Sequence, residues 1–85
     1  MKYYTEVHRA ICALGFESEQ VEPGTRLLGD LELDSTELVE VSLQLQRDLG
    51  IEVKLELADD LTVADACRLV EEAGQAAEGV PQAAG

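Results

Sequence analysis

Tryptophan is absent from this chain of 85 residues, and its aromatics are two tyrosines and one phenylalanine. Any core must therefore come from Leu, Val, Ile and Ala. Basic residues are also scarce: six Lys and Arg stand against 18 acids, for a net charge of −12. That balance argues against binding a phosphate backbone, which draws its affinity largely from Lys and Arg. It argues equally against anionic membrane surfaces. It suits docking on basic surfaces of partner proteins, where complementary charge speeds encounter. There is one histidine, His8, placed on the first helix opposite Ile11, where a solvated imidazole is expected. No Ser-His-Asp or Cys-His set can be assembled around it. Two cysteines, Cys12 and Cys67, make neither a disulfide framework nor a metal site; buried free thiols are expected. No apolar run approaches membrane-spanning length and no signal peptide is evident, so a cytoplasmic protein is expected. A glycine-rich phosphate loop is missing. Asp30, Glu32 and Asp34 alternate as in a calcium loop, but the required glycine and distant Glu are not in register. Paired carboxylates are too common in so acidic a chain to mark general acid–base work. An enzyme is not expected.

The hydrophobic share, 46%, is that of a folded domain, and the length fits one domain. Residues 2–15 place Tyr4, Val7, Ile11 and Leu14 at helical spacing, and Gly15 stops the pattern. Residues 16–33 have no sustained period. Pro23-Gly24 marks a turn, but Phe16, Val21, Leu27, Leu28, Leu31 and Leu33 are too many apolar residues for a free linker. A long ordered loop pinned onto a core is expected, and such loops are often functional. Residues 51–57 alternate like a strand, yet no second strand exists to satisfy it. An extended loop with a helical turn near Leu57–Leu61 is the better expectation. Residues 62–73 carry Val63, Ala66, Leu69, Val70 and Ala73 at helical spacing, behind a Thr62–Asp65 capping pair. Residues 74–85 are small, Gly- and Pro-interrupted and without an apolar stripe, so a disordered tail is expected. The domain is thus assigned to 1–73, as a small all-α bundle.

The clearest helix is the second, over residues 35–49. Leu38, Val41, Leu45 and Leu49 form its core stripe, Asp34 is its N-cap with Glu37 three residues on, and Gly50 ends it. Val39 and Leu43 widen the apolar surface beyond that stripe and lie among Thr36, Glu37, Glu40 and Arg47. They read either as part of a wide buried face or as apolar anchors of a transient interface with a charged rim. Ser35 opens this helix. Its hydroxyl faces outward at the positive end of the helix dipole, where a phosphate finds free N–H groups. With no neighbouring base it is a poor nucleophile, so another enzyme would have to activate it.

The segment from Asp30 to Glu40, DLELDSTELVE, resembles the attachment site of the acyl and peptidyl carrier protein family, roughly D-L-G-x-D-S-L before an amphipathic helix. The likeness extends over most of the chain, through T25-R26-L27-L28-G29-D30-L31, I51-E52-V53 and L61-T62-V63. It implies a four-helix bundle, three main helices and one short one, with a long ordered loop between the first two. It implies 4'-phosphopantetheine on Ser35, moved from coenzyme A by a phosphopantetheinyl transferase. The arm's thiol then holds an acyl or aminoacyl group as a thioester, presented by a monomeric carrier to acyltransferase, ketosynthase or adenylation and ligase enzymes. Asp34, Thr36, Glu37, Val39, Glu40, Leu43 and Arg47 would form the partner face. Glu32 stands where the family has glycine, Thr36 where leucine follows the serine, and Arg47 adds positive charge to an acidic face. These departures lean toward polyketide or mixed polyketide–peptide biosynthesis; an aminoacyl or peptidyl carrier and a fatty-acid carrier are the alternatives.

Overall fold

The α2 helix, Ser35–Leu49, forms where its sequence places apolar residues along one stripe, and it organises the rest of the chain. Leu38, Val41 and Leu45 are buried and Leu49 is half-buried. Gly50 closes the helix in the left-handed region at φ 70°, donating its N–H to the Gln46 carbonyl at 2.8 Å. Around it stand α1, Tyr4–Cys12, and α3, Val63–Gly79. This computed structural model describes residues 2–79, with side chains described as far as residue 75. Among the described residues there is no strand.

Helix α1 is shorter than the periodicity of residues 2–15 suggests. Its C-terminus unwinds through turns in which Leu14 and Gly15 donate to the Ile11 and Cys12 carbonyls, and Gly15 takes φ 117°. A residue with a Cβ rarely adopts that conformation. Val7, Ala10 and Ile11 face the core. His8 is half-buried rather than fully solvated, with its ring 5.5 Å from Tyr4 and its Nε2 3.2 Å from the Ser18 carbonyl oxygen.

The segment between α1 and α2 is ordered, as its apolar content implied. Val21, Leu27 and Leu33 are buried. Each contributes on the order of 1.5–3 kcal/mol by leaving water. The segment is also sewn to the start of α3. Leu27 N–H donates to the Leu61 carbonyl at 2.7 Å and Val63 N–H to the Thr25 carbonyl at 2.9 Å, which makes one antiparallel bridge between Arg26 and Thr62. The Asp60 carboxylate accepts from the N–H groups of Leu28 and Gly29 at 3.0 and 3.3 Å. A 3-10 turn at Ser18–Gln20, unanticipated in the sequence, precedes this stretch.

The expected short fourth helix is a single 3-10 turn, Leu55–Leu57, lying upstream of the Leu57–Leu61 position expected for it. Among the described residues the fold is therefore three helices and two 3-10 turns. The alternation from Ile51 to Leu57 does not make a strand: Ile51 and Leu55 are buried, Val53 is half-buried and Leu57 is 76% exposed.

Helix α3 also departs from expectation. It does not stop at Ala73 but continues to Gly79. Gly74, the first residue of the expected tail, is buried inside the helix against Ile51. A Cβ there would meet Ile51 Cδ1 at 3.0 Å, so this glycine serves a close approach and not a turn. Residues 74–79 of the expected disordered tail are thus helical, and 80–85 lie outside the described residues. The N-terminus of α3 carries the anticipated reciprocal cap. Asp65 N–H donates to Thr62 Oγ1 at 3.0 Å, and Thr62 N–H to the Asp65 carboxylate at 3.2 Å. Hydrogen bonds from the Thr62 backbone and side chain to the Asp65 carboxylate hold it below its ordinary pKa. Among the described residues no helix is long and apolar enough to cross a membrane.

Candidate functional site

Ser35 is the first residue of α2 and is exposed. Its position is held from both sides. Leu33 and Leu38 are buried, which anchors the chain before and after the turn into the helix. Between them Asp34 is extended, at φ −100° and ψ 178°, and completes a capping box. Glu37 N–H donates to Asp34 Oδ1 at 2.8 Å, Asp34 N–H donates to Glu37 Oε1 at 3.1 Å, and Leu38 N–H donates to the Asp34 carbonyl at 3.0 Å. The box uses the third N–H of the helix. Those of Ser35 and Thr36 lie too near its start to have a partner one turn back. An exposed hydroxyl thus sits beside two free donors at the positive helix end.

One residue of the approach is strained. Glu32 has φ 54°, the only non-glycine at positive φ among the described residues. This is the position at which the carrier pattern has glycine. The backbone keeps the glycine-like conformation while the side chain is glutamate, at a cost of about 1–2 kcal/mol.

The anticipated partner residues divide over two depressions. Glu37, Glu40, Leu43, Gln44 and Arg47 of α2 face Ala10, Ala13 and Leu14 of α1 across a cleft of about 440 Å³. On the other flank, Val39 and Leu43 border a smaller depression of about 160 Å³ with Gln46, Glu52, Val53 and Lys54. Leu43 is thus common to both, and is 45% exposed. Thr36 is exposed but belongs to neither, and Asp34 is exposed beside Ser35. Val39 is half-buried and lines the smaller depression.

Sequence reasoning missed two residues that position this site. Ser42, buried within α2, donates its hydroxyl to the Leu38 carbonyl at 2.9 Å and accepts from Leu55 N–H at 3.1 Å. It thereby fixes the 3-10 turn against the helix that presents Ser35. Asp60 does the same for the approach loop. A lone serine or aspartate in an acidic chain carries no periodic signal, so neither was visible. The two cysteines take no part. Cys67 is buried and Cys12 half-buried, and loss of hydration pushes both thiols above their ordinary pKa. Among the described residues no cluster of His, Cys, Asp or Glu is arranged to hold a metal ion.

The family model for a phosphopantetheine attachment site matches residues 7–70, which includes this helix start. The chain belongs to that family. Relatives in this carrier family include the acyl carrier protein of Sinorhizobium fredii and the acyl carrier protein AcpP of Rhizobium meliloti. Each is 36% identical over 61 residues, 71% of this chain and 78% of the relative. A comparison with solved structures gave no significant match. The family's prosthetic group is 4'-phosphopantetheine, covalently bound. The residues here fit it: an exposed hydroxyl, two free N–H donors for a phosphodiester, and open solvent around them.

Proposed function

We propose that this carrier bears its phosphopantetheine on Ser35. Three serines are present, and their surroundings favour one. Ser42 is buried with its hydroxyl engaged twice. Ser18 starts a 3-10 turn of three residues, without the aligned N–H groups of a full helix. Ser35 alone combines exposure with the N-terminus of a 15-residue helix, and this is the observation that carries the reading. In the attachment step the Ser35 oxygen forms a bond to the phosphorus of coenzyme A, adenosine bisphosphate leaves, and the serine proton passes to a base of the transferase. The chain supplies no base of its own. When bound, the group offers a terminal thiol that holds an acyl chain as a thioester.

Asp34, Thr36, Glu37, Val39, Glu40, Leu43 and Arg47 are proposed to meet the transferase and the enzymes that load and unload the arm. The carrier itself catalyses nothing. The carrier domain is proposed to span residues 1–73, with α3 continuing to Gly79, and its setting is proposed to be cytoplasmic.

Its pathway is proposed to be polyketide or mixed polyketide–peptide biosynthesis. The support is the unusual helix start, with Thr36 after Ser35, Glu32 at positive φ, and Arg47 on the exposed face. A fatty-acid carrier is the second reading, favoured by the overall acidity and by relatives named acyl carrier proteins. Mass spectrometry of the cargo on the carrier isolated from its host decides between them. Ketide or substituted acyl thioesters support the first reading, saturated fatty acyl chains the second, and an aminoacyl group contradicts both.

A further inference from the structure

Helix α2 carries two exposed charges of opposite sign, and neither has a partner within reach. Residues three and four positions from Arg47 are Leu43, Gln44, Gly50 and Ile51, and none is acidic. At the same spacings from Glu40 stand Thr36, Glu37, Leu43 and Gln44, and none is basic. Asp48, next to Arg47 in the chain, accepts from Gln44 Nε2 at 3.0 Å. Glu37 is engaged in the cap, where its Oε1 accepts from Asp34 N–H at 3.1 Å. Neither Glu40 nor Arg47 forms an ion pair among the described residues. The two lie seven residues apart, about 10 Å of helix, which is too far for one to neutralise the other in salt. Both line the α1–α2 cleft, and Leu43, 45% exposed, sits between them. The facing wall of Ala10, Ala13 and Leu14 is apolar and brings no charge to either.

The cleft thus has an apolar middle with an acid at one end and a cation at the other. A uniformly basic surface would satisfy Glu40 and be repelled by Arg47. We propose that the α1–α2 cleft docks one amphipathic helix of a partner enzyme, lying antiparallel to α2, with an acid against Arg47, an apolar side chain on Leu43 and a base against Glu40. A helix matches the site because two of its residues seven apart span the same 10 Å or so, with an apolar residue one turn from each. In the antiparallel direction the acid precedes the base, so each charge lies toward the end of the docked helix whose dipole favours it. A carboxylate gives the Arg47 guanidinium a charge-assisted, bidentate partner. Arg47 is then a specificity residue: it admits helices of mixed charge and disfavours those that are basic throughout. Ser35 does not line the cleft, so the docking needs no prosthetic group.

The inference rests on the reading of this face as a partner surface and is independent of attachment at Ser35. Its test uses the isotope-labelled, unmodified full chain and two Ala-rich helical peptides of about 20 residues, matched in composition and helicity. One carries glutamate, leucine and lysine in that order, its charges seven residues apart; the other carries lysine, leucine and glutamate. The expected result is saturable amide shifts at Ala13, Leu43 and Arg47 with the glutamate-first peptide, at an affinity about five- to tenfold above that of the lysine-first peptide. The double variant Glu40→Lys with Arg47→Glu, at unchanged helicity, should reverse that preference, which no difference between the peptides alone can do. No saturable shift with either peptide, equal affinities, a lysine-first preference in the unmodified chain, or shifts centred on residues 53–58 would overturn the proposal. Failure of the partner-surface reading itself shows separately, as transferase kinetics insensitive to Glu40→Lys and Leu43→Ala.

Discussion

The Ser42 hydroxyl, buried in the middle of α2, accepts the backbone N–H of Leu55 at 3.1 Å. One side-chain oxygen thus joins the helix that presents Ser35 to the turn that follows it. Replacing Ser42 with Ala leaves a buried N–H without a partner, which costs about 1–3 kcal/mol. Denaturant unfolding should show that loss, and hydrogen exchange should show faster opening of residues 51–57. Ser42→Thr, which keeps the hydroxyl, should restore protection of the Leu55 amide if the added methyl is accommodated.

Glu32 and Gly50 both occupy the left-handed region, at φ 54° and 70°. Opposite substitutions there should have opposite effects. Glu32→Gly should raise stability by up to about 1 kcal/mol, because relief of strain outweighs the added freedom of the unfolded chain. Gly50→Ala should lower it by about 1 kcal/mol or more. Chemical denaturation of both variants checks the pair.

Asp34 caps α2 through Glu37 N–H at 2.8 Å. Asp34→Ala should cost about 1 kcal/mol of stability, whereas Asp34→Asn should retain most of it. Thermal melts in parallel with transferase kinetics would separate capping from docking. A docking role appears as slower modification in the Asn variant at nearly unchanged melting temperature.

Asp65 is held below its ordinary pKa by hydrogen bonds from Thr62. Its carboxylate binds fewer protons in the folded than in the unfolded state. The stabilisation is therefore fully present above the unfolded value of about 3.9 and is lost as pH falls through the lower folded value. Acid titration followed at the α3 amides should show the first turn loosening below that value, and Asp65→Asn should remove this pH dependence.

Much of the fold could be read from the chain because periodicity and end signals agreed. At α2, the stripe of Leu38, Val41 and Leu45, the Asp34–Glu37 cap and Gly50 all pointed to the same boundaries, and the structure has them. The end of α3 was misread. Residues 74–79 looked like the start of a tail because they are small and lack an apolar stripe, but Gly74 packs against Ile51 from another segment, which periodicity cannot register. The alternation of residues 51–57, already rejected as a strand, belongs to a loop that buries Ile51 and Leu55, with the Leu55 N–H satisfied by the Ser42 hydroxyl of α2. Glu37, Glu40, Leu43 and Arg47 could be seen to share one face of α2. That Ala13 and Leu14 make that face one wall of a cleft depends on how α1 packs, which no local pattern encodes.

Glu40 and Leu43 are exposed on the face that leads away from Ser35. Glu40→Lys and Leu43→Ala should each lower the transferase kcat/KM by roughly tenfold, about 1.4 kcal/mol, if these positions dock the enzyme. Melting temperature should hardly change. The Glu40 effect should shrink with added salt, and that of Leu43 should not.

The central claim is that Ser35 carries the prosthetic group. Its most direct test is the intact mass of the protein after incubation with coenzyme A and a permissive phosphopantetheinyl transferase. The account predicts a gain of one phosphopantetheine unit, lost in Ser35→Ala and retained in Ser18→Ala. No gain, or a gain that survives Ser35→Ala, would contradict it.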